Sequence, residues 1–214
     1  MNLGLQLCQE KLKETPDDEF LQKINSHFHI FEEIFHANEG KWLKGCGSYL
    51  FDGQTYAYTP VMLEKQRAFY HACKGVQTCF EIGVYMAHSQ LIMLMANPTM
   101  EIHSVDIDAT YAEIGINVLK KHFPQASLHL TIAPSLSVMD TILQQKKQWD
   151  MFHIDGDHNF SVIAQEWQKC QPYVSTGSIV VFDDIDVNRP WFHSLPCISR
   201  ITPDCKWSNM ILHM

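Results

Sequence analysis

The sequence predicts an α/β fold: a doubly wound, mostly parallel sheet with helices on both faces, preceded by an N-terminal helical extension. From Val76 onward, short apolar runs alternate with helical segments, which is the pattern of a parallel sheet. Two of the runs, 150–154 and 178–182, are followed by clusters of acids. In open α/β sheets the carboxyl ends of the strands border the ligand crevice. The 214 residues correspond to one such domain.

The alternating part is predicted to contain five strands and four helices. The expected strands are 78–82, 102–106, 127–132, 150–154 and 178–182, and the expected helices are 89–96, 109–121, 135–147 and 161–172. After residue 186 two short runs, 196–201 and 207–212, predict a closing hairpin. We therefore assign residues 76–214 to the sheet domain.

The first 75 residues are predicted to form a helical extension. Helices are expected at 3–13 and 17–36, and the second carries phenylalanines and isoleucines at three- and four-residue spacing on one packing face. Thr59-Pro60 predicts the start of a third helix, which ends near Cys73. The intervening segment 41–58 is rich in glycine and aromatic residues, and we expect it to act as a lid over a ligand site.

Charge and composition exclude several classes of protein. The net charge of −8 and the pI of about 5.8 argue against a general nucleic-acid binder. The seven cysteines are odd in number and include no Cys-x-x-Cys pair, which favours reduced thiols in the cytoplasm over a disulfide scaffold. The longest clean apolar run, Leu91–Ala96, is too short to cross a membrane, and residues 1–14 lack the apolar core of a signal peptide.

The loop after the first predicted strand has the features of a ligand-binding turn. In Glu81–Ser89, Gly83 permits a tight turn and close approach of the backbone, and the next helix offers free amide groups. The Gly-x-Gly-x-x-Gly pattern of a pyrophosphate cradle is absent. Asp106 closes the second strand, where an acid can accept hydrogen bonds from ribose hydroxyls or can cap the next helix.

The acids after the two later strands predict a metal site. Asp155 follows one strand and Asp183-Asp184 end the other, so the three carboxylates meet if the strands are neighbours. Carboxylates so close together repel one another unless a cation lies between them, and oxygen ligands suit Mg²⁺. His158, three residues after Asp155, is a candidate general base. For each acid alone, helix capping or turn formation is the alternative role.

Taken in order, EIGVYMAHS, SVD, IDGDHNF and GSIVVFDD resemble the motifs of class I S-adenosylmethionine-dependent methyltransferases, over roughly half of the chain. The groups most similar in pattern are the family 24, macrocin-type and catechol-type O-methyltransferases. The resemblance implies a Rossmann-like sheet and S-adenosyl-L-methionine as the cofactor. It also implies a small-molecule substrate whose hydroxyl, on a sugar, diol or phenol, accepts the methyl group. We expect neither a nucleic acid nor a membrane as partner, and the N-terminal helices are candidates for a homodimer contact.

Carried over residue by residue, the resemblance assigns the cofactor contacts to Glu81, Gly83, Tyr85, Ser89, Asp106, Ser135 and Asp155. Asp106 would hold the ribose, and Ser135 would lie beside the adenine. Asp155, Asp183 and Asp184 would hold Mg²⁺ or a similar divalent cation, and His158 would be the catalytic base. Ala87 departs from the glycine of the family pattern. Two alternatives stay open: an enzyme with a different reaction on the same fold, and a non-catalytic binding protein.

Overall fold

A computed structural model describes residues 3–38, 60–157, 159–185, 199–200 and 208–214. The strands are β1 Thr78–Ile82, β2 Glu101–Asp106, β3 Ser127–Ile132, β4 Met151–Ile154, β5 Ile179–Ile185, β6 Ser199–Arg200 and β7 Ser208–His213. The helices are α1 Leu3–Glu14, α2 Glu19–Ala37, α3 Pro60–Cys73, α4 His88–Ala96, α5 Ala109–His122, α6 Ser135–Leu143 and α7 Phe160–Cys170.

The strands form one sheet in the order β3-β2-β1-β4-β5-β7-β6. The strands β1 to β5 are parallel, whereas β7 runs antiparallel to both β5 and β6. The predicted doubly wound, mostly parallel sheet is therefore confirmed. The chain order reverses between β1 and β4, and a crevice for a ligand forms at the carboxyl ends of the strands at such a reversal.

Helices cover both faces of the sheet, and alternation along each strand decides which side chains they meet. On β1, Cys79 packs with α1 to α5, whereas Phe80 and Ile82 pack with α6 and α7. On β4, Met151 likewise packs with α1 to α5, whereas Phe152 packs with α6 and α7. Because side chains alternate with a period of two, Glu81 and His153 lie on the face covered by α3 and α4.

The N-terminal helices pack on the sheet domain instead of forming a separate core. Phe20, Ile24, Phe28 and Phe31 of α2 are almost fully buried in one apolar cluster with residues of α4 and α5. Their predicted role as a packing face is confirmed. The proposed lid, residues 41–58, lies outside the described residues. Within the described part of the chain, no helix combines the length and apolar character needed to cross a membrane.

Two helices end earlier than the sequence predicts. Helix α6 ends at Leu143 instead of residue 147, because the buried Trp149 donates its indole N–H to the Leu143 carbonyl over 3.1 Å and the chain turns there. Helix α7 ends at Cys170 and tightens into a 3₁₀ turn, Gln171–Tyr173. In the predicted hairpin, the second run is confirmed as β7, and most of the first run lies outside the described residues.

Candidate functional site

The loop between β1 and α4 is a sharp turn pressed against the end of β4. Three of its residues have left-handed backbone conformations: Gly83 (φ +85°), Tyr85 (φ +47°) and Ala87 (φ +61°). A Cβ on Gly83 would lie 2.1 Å from the carbonyl oxygen of Asp155, so only glycine fits there. Left-handed non-glycine residues are uncommon and concentrate at functional sites.

Ala87, the departure from the family pattern, is accommodated by a glycine on the neighbouring helix. Ala87 is fully buried at the N-terminus of α4. A Cβ added to Gly115 of α5 would lie 2.9 Å from the Ala87 Cβ and 2.5 Å from the Met86 carbonyl oxygen. The alanine methyl group is therefore directed at α5, which has no side chain at this position.

Asp106 joins this loop to the end of β2. Its Oδ2 accepts hydrogen bonds from the backbone N–H groups of Val84 (2.8 Å) and Tyr85 (2.9 Å), and its Oδ1 accepts one from the Asp108 N–H (2.8 Å). An ionised carboxylate offers about four acceptor sites. Asp106 thus orders the loop and keeps acceptor capacity for a further donor. The neighbouring Asp108 caps α5 by accepting from the Thr110 N–H.

Glu81 is the centre of a buried polar network. Its carboxylate accepts hydrogen bonds from Ser89 Oγ (2.6 Å) and Gln90 Nε2 (2.6 Å), and it lies 2.9 Å from His153 Nδ1. Glu81, Gln90 and His153 have no exposed surface. Glu81 and His153 are paired in register on adjacent strands, so their side chains meet on the same face. This network fixes β1, β4 and the start of α4 relative to one another.

Two of the three predicted metal ligands come together at the ends of β4 and β5. Donor atoms of Asp155, Asp183 and His153 all lie within 4.8 Å of one another. The side chain of Asp184 and the whole of His158 lie outside the described residues, so the third carboxylate and the catalytic base stay predictions. His153, a buried residue of β4, adds an imidazole to the cluster.

A lysine completes the cluster. Lys65 of α3 extends to Asp183, and its Nζ lies 2.6 Å from Asp183 Oδ1. Burial alone would raise the pKa of Asp183, but the Lys65 ammonium beside it, which is the largest opposing cause, holds this pKa below its ordinary value. Asp183 therefore carries a negative charge that a cation balances.

Ser135, predicted to lie beside the adenine, is bonded to a buried acid on the other face of the sheet. Its Oγ donates to Glu166 Oε1 over 2.6 Å, and Glu166 Oε2 has no hydrogen-bond partner among the described residues. Burial raises the pKa of Glu166 to about 7, and the charge of Asp157 adds to the shift, whereas the Ser135 hydrogen bond opposes it. Glu166 follows the acidic motif on α7 and carries no sequence signal of burial.

We expect Glu166 to make the protein less stable as pH rises from about 4.5 to about 7. In this range the folded state retains a proton that the unfolded chain has lost, so the free energy of unfolding falls. The loss is on the order of 2–3 kcal/mol. Glu166→Gln, which stays neutral and keeps an acceptor for Ser135, should remove most of this dependence. Denaturant unfolding at pH 5 and pH 8 measures it, and equal pH slopes for both proteins would contradict the assignment.

The comparisons with known proteins agree with this geometry. Residues 80–185, about half of the chain, match the family model described as a methyltransferase domain. A protein of Arabidopsis thaliana named as a candidate caffeoyl-CoA O-methyltransferase is 28% identical over 119 residues, which are 55% of this chain and 49% of that protein. The chain thus spans about half the length of the curated relatives it matches.

Solved methyltransferases share the fold. The SAH-bound methyltransferase PaMTH1 of Podospora anserina has a TM-score of 0.60 at 14% identity, and the matched region covers 86% of this chain and 87% of the PaMTH1 chain. The O-methyltransferase of Bacillus cereus in complex with SAH has a TM-score of 0.57 at 12% identity, with 86% and 89% covered. The fold is that of class I S-adenosylmethionine-dependent methyltransferases. Residues 80–185 belong to the methyltransferase-domain family.

Proposed function

We propose that the protein is an S-adenosylmethionine-dependent O-methyltransferase acting on a small-molecule hydroxyl. The observation that carries the proposal is the turn at Gly83, held by Asp106 and pressed against Asp155 at the reversal of strand order. This turn lies in the segment that matches the methyltransferase-domain model. The names of the relatives, which include O-methyltransferases, support an oxygen acceptor.

The proposed reaction places the cofactor along the ends of β1 and β2 and the acceptor at the ends of β4 and β5. S-adenosylmethionine bound there would supply its methyl group to the acceptor oxygen in an in-line displacement, with a neutral thioether as the leaving group. The hydroxyl proton passes to a base, for which His158 is our candidate because a histidine titrates near neutrality. As the resemblance implies, Glu81, Gly83 and Ser89 would lie along the methionine part of the cofactor, with Tyr85 in the same loop.

We also propose that the acidic cluster holds a divalent cation, with Asp155, Asp183 and Asp184 as ligands. Oxygen donors of this kind suit Mg²⁺, which would lower the pKa of the acceptor hydroxyl. The Lys65 ammonium supports the proposal, because it is a positive charge bound at the same carboxylate that the metal ion would use.

We propose that the protein acts in the cytoplasm on a small-molecule partner. We also propose that the N-terminal helices form a homodimer contact. The four described cysteines, Cys8, Cys73, Cys79 and Cys170, are buried and free, in keeping with a reducing compartment. Each has a pKa raised by burial, so none is a reactive thiolate.

A panel of sugars, diols and phenols incubated with S-adenosylmethionine tests the reaction through the formation of S-adenosylhomocysteine. We expect turnover of at least one hydroxyl compound, loss of turnover in chelator and recovery with Mg²⁺. Asp183→Asn should abolish turnover while cofactor binding persists, because Asp183 on β5 is not among the residues assigned to the cofactor. Full turnover in chelator, with an active Asp183→Asn enzyme, would remove the metal from the mechanism.

A further inference from the structure

The ion pair between Lys65 and Asp183 differs from the surface ion pairs of this protein. The Lys65 side chain is 10% exposed and the Asp183 side chain 4%. The pair between Lys74, the residue that follows the end of α3, and Glu19 of α2 is 39% and 52% exposed. Exposed pairs are screened by solvent and contribute little, whereas removing one partner of a buried pair leaves an uncompensated charge. The Lys65 ammonium is therefore a firmly held cation.

The same ammonium lies at the carboxylate that a divalent cation would use. Asp183 belongs to the cluster with His153 and Asp155 whose donor atoms lie within 4.8 Å of one another. His153 in turn lies 2.9 Å from Glu81 through Nδ1, so its orientation is fixed by a buried carboxylate. Two cations at one carboxylate repel each other. A metal ion and the Lys65 ammonium therefore compete for Asp183.

We propose that Lys65 is a resident cation that competes with a divalent metal ion for Asp183 and so sets the metal affinity of the cluster. The inference rests on the proposed metal site and deepens it. Metal occupancy requires the ammonium to leave Asp183, which the flexible four-carbon stem of lysine allows. At low metal concentration the Lys65 ammonium balances the negative charge of Asp183, and at high metal concentration the metal ion takes its place.

Calorimetric titration with Mn²⁺ tests the competition in the full chain. Lys65→Met should bind the ion about 10- to 100-fold more tightly than wild type, because the Lys65 ammonium paired with Asp183 no longer has to be displaced. Lys65→Arg, which keeps the charge, should stay as weak as wild type. Lys74→Met is the matched control, since it removes an exposed ion pair and should leave Mn²⁺ affinity unchanged. Equal affinities for wild type and Lys65→Met would overturn the proposal.

Unfolding midpoints give a second readout. Mn²⁺ should raise the midpoint of Lys65→Met far more than that of wild type, because the metal replaces the lost charge beside Asp183. If Lys65→Met does not fold in metal-free buffer, it should fold in Mn²⁺, and failure in both buffers would contradict the competition. Titration of S-adenosylhomocysteine in parallel separates the two proposals. A protein that binds this ligand but no Mn²⁺, with or without Lys65, overturns the role of Lys65 and leaves cofactor binding standing.

Discussion

Gly83→Ala should lower the free energy of unfolding by about 3–5 kcal/mol and abolish cofactor binding. The new Cβ would lie 2.1 Å from the Asp155 carbonyl oxygen and 2.9 Å from the Gly156 nitrogen. Both are backbone atoms, and Asp155 is fixed by its own N–H, which donates to the Ile82 carbonyl over 2.8 Å. The loop or the end of β4 must therefore move. Denaturant unfolding and a titration with S-adenosylhomocysteine measure the two effects.

Gly75 and Gly177 supply the control for this substitution. Both also have positive φ angles, of +82° and +96°, but a Cβ at either would meet no atom within 4 Å. In their alanine variants the free energy of unfolding should fall only by the cost of the backbone strain, about 1–2 kcal/mol, and cofactor binding should equal that of wild type. If Gly83→Ala loses no more stability than these controls, the close contact with Asp155 is not a constraint on this turn.

Glu81→Ala should have the largest effect of any polar substitution in the described part of the chain, a loss of about 3–5 kcal/mol in the free energy of unfolding. The change leaves Ser89 Oγ, Gln90 Nε2 and His153 Nδ1 without their buried acceptor. Each orphaned group then carries its desolvation penalty. Because the network joins β1, β4 and α4, we also expect weaker binding of S-adenosylhomocysteine.

Glu101→Ala is the matched control on the neighbouring strand. Glu101 also contacts two partners, His103 and Lys146, but its side chain is 32% exposed. Solvent screens these contacts, so the variant should lose less than about 1 kcal/mol. Comparable losses for Glu81→Ala and Glu101→Ala in denaturant unfolding would show that the buried network contributes no more than a surface ion pair.

Much of the fold could be predicted from the sequence because its signals are local. Alternating apolar runs and helical segments place all five parallel strands to within one residue at their starts. The proximity of Asp155 and Asp183 follows from the same logic, since the carboxyl ends of adjacent parallel strands share one edge of the sheet. The errors lie at helix ends, where a tertiary contact such as that of Trp149 decides the boundary.

The partners of the candidate site could not be predicted in the same way. Lys65 is on a helix far from β5 in sequence, and it reaches Asp183 only through the packing of α3 on the sheet. Glu166 meets Ser135 through the packing of α6 and α7. His153 had a usable signal: it lies two residues before Asp155, and alternate residues of a strand point to the same face. An imidazole on that face was within reach of the acids.

Titration of S-adenosylhomocysteine into wild type and Asp106→Ala tests most directly the claim that the cofactor binds at the ends of β1 and β2. We predict one site per chain in wild type. Asp106→Ala should bind about 10- to 100-fold more weakly, because the substitution removes an acceptor for the ligand and releases the amides of Val84 and Tyr85. No binding by folded wild-type protein, or equal affinity in both proteins, would contradict the account.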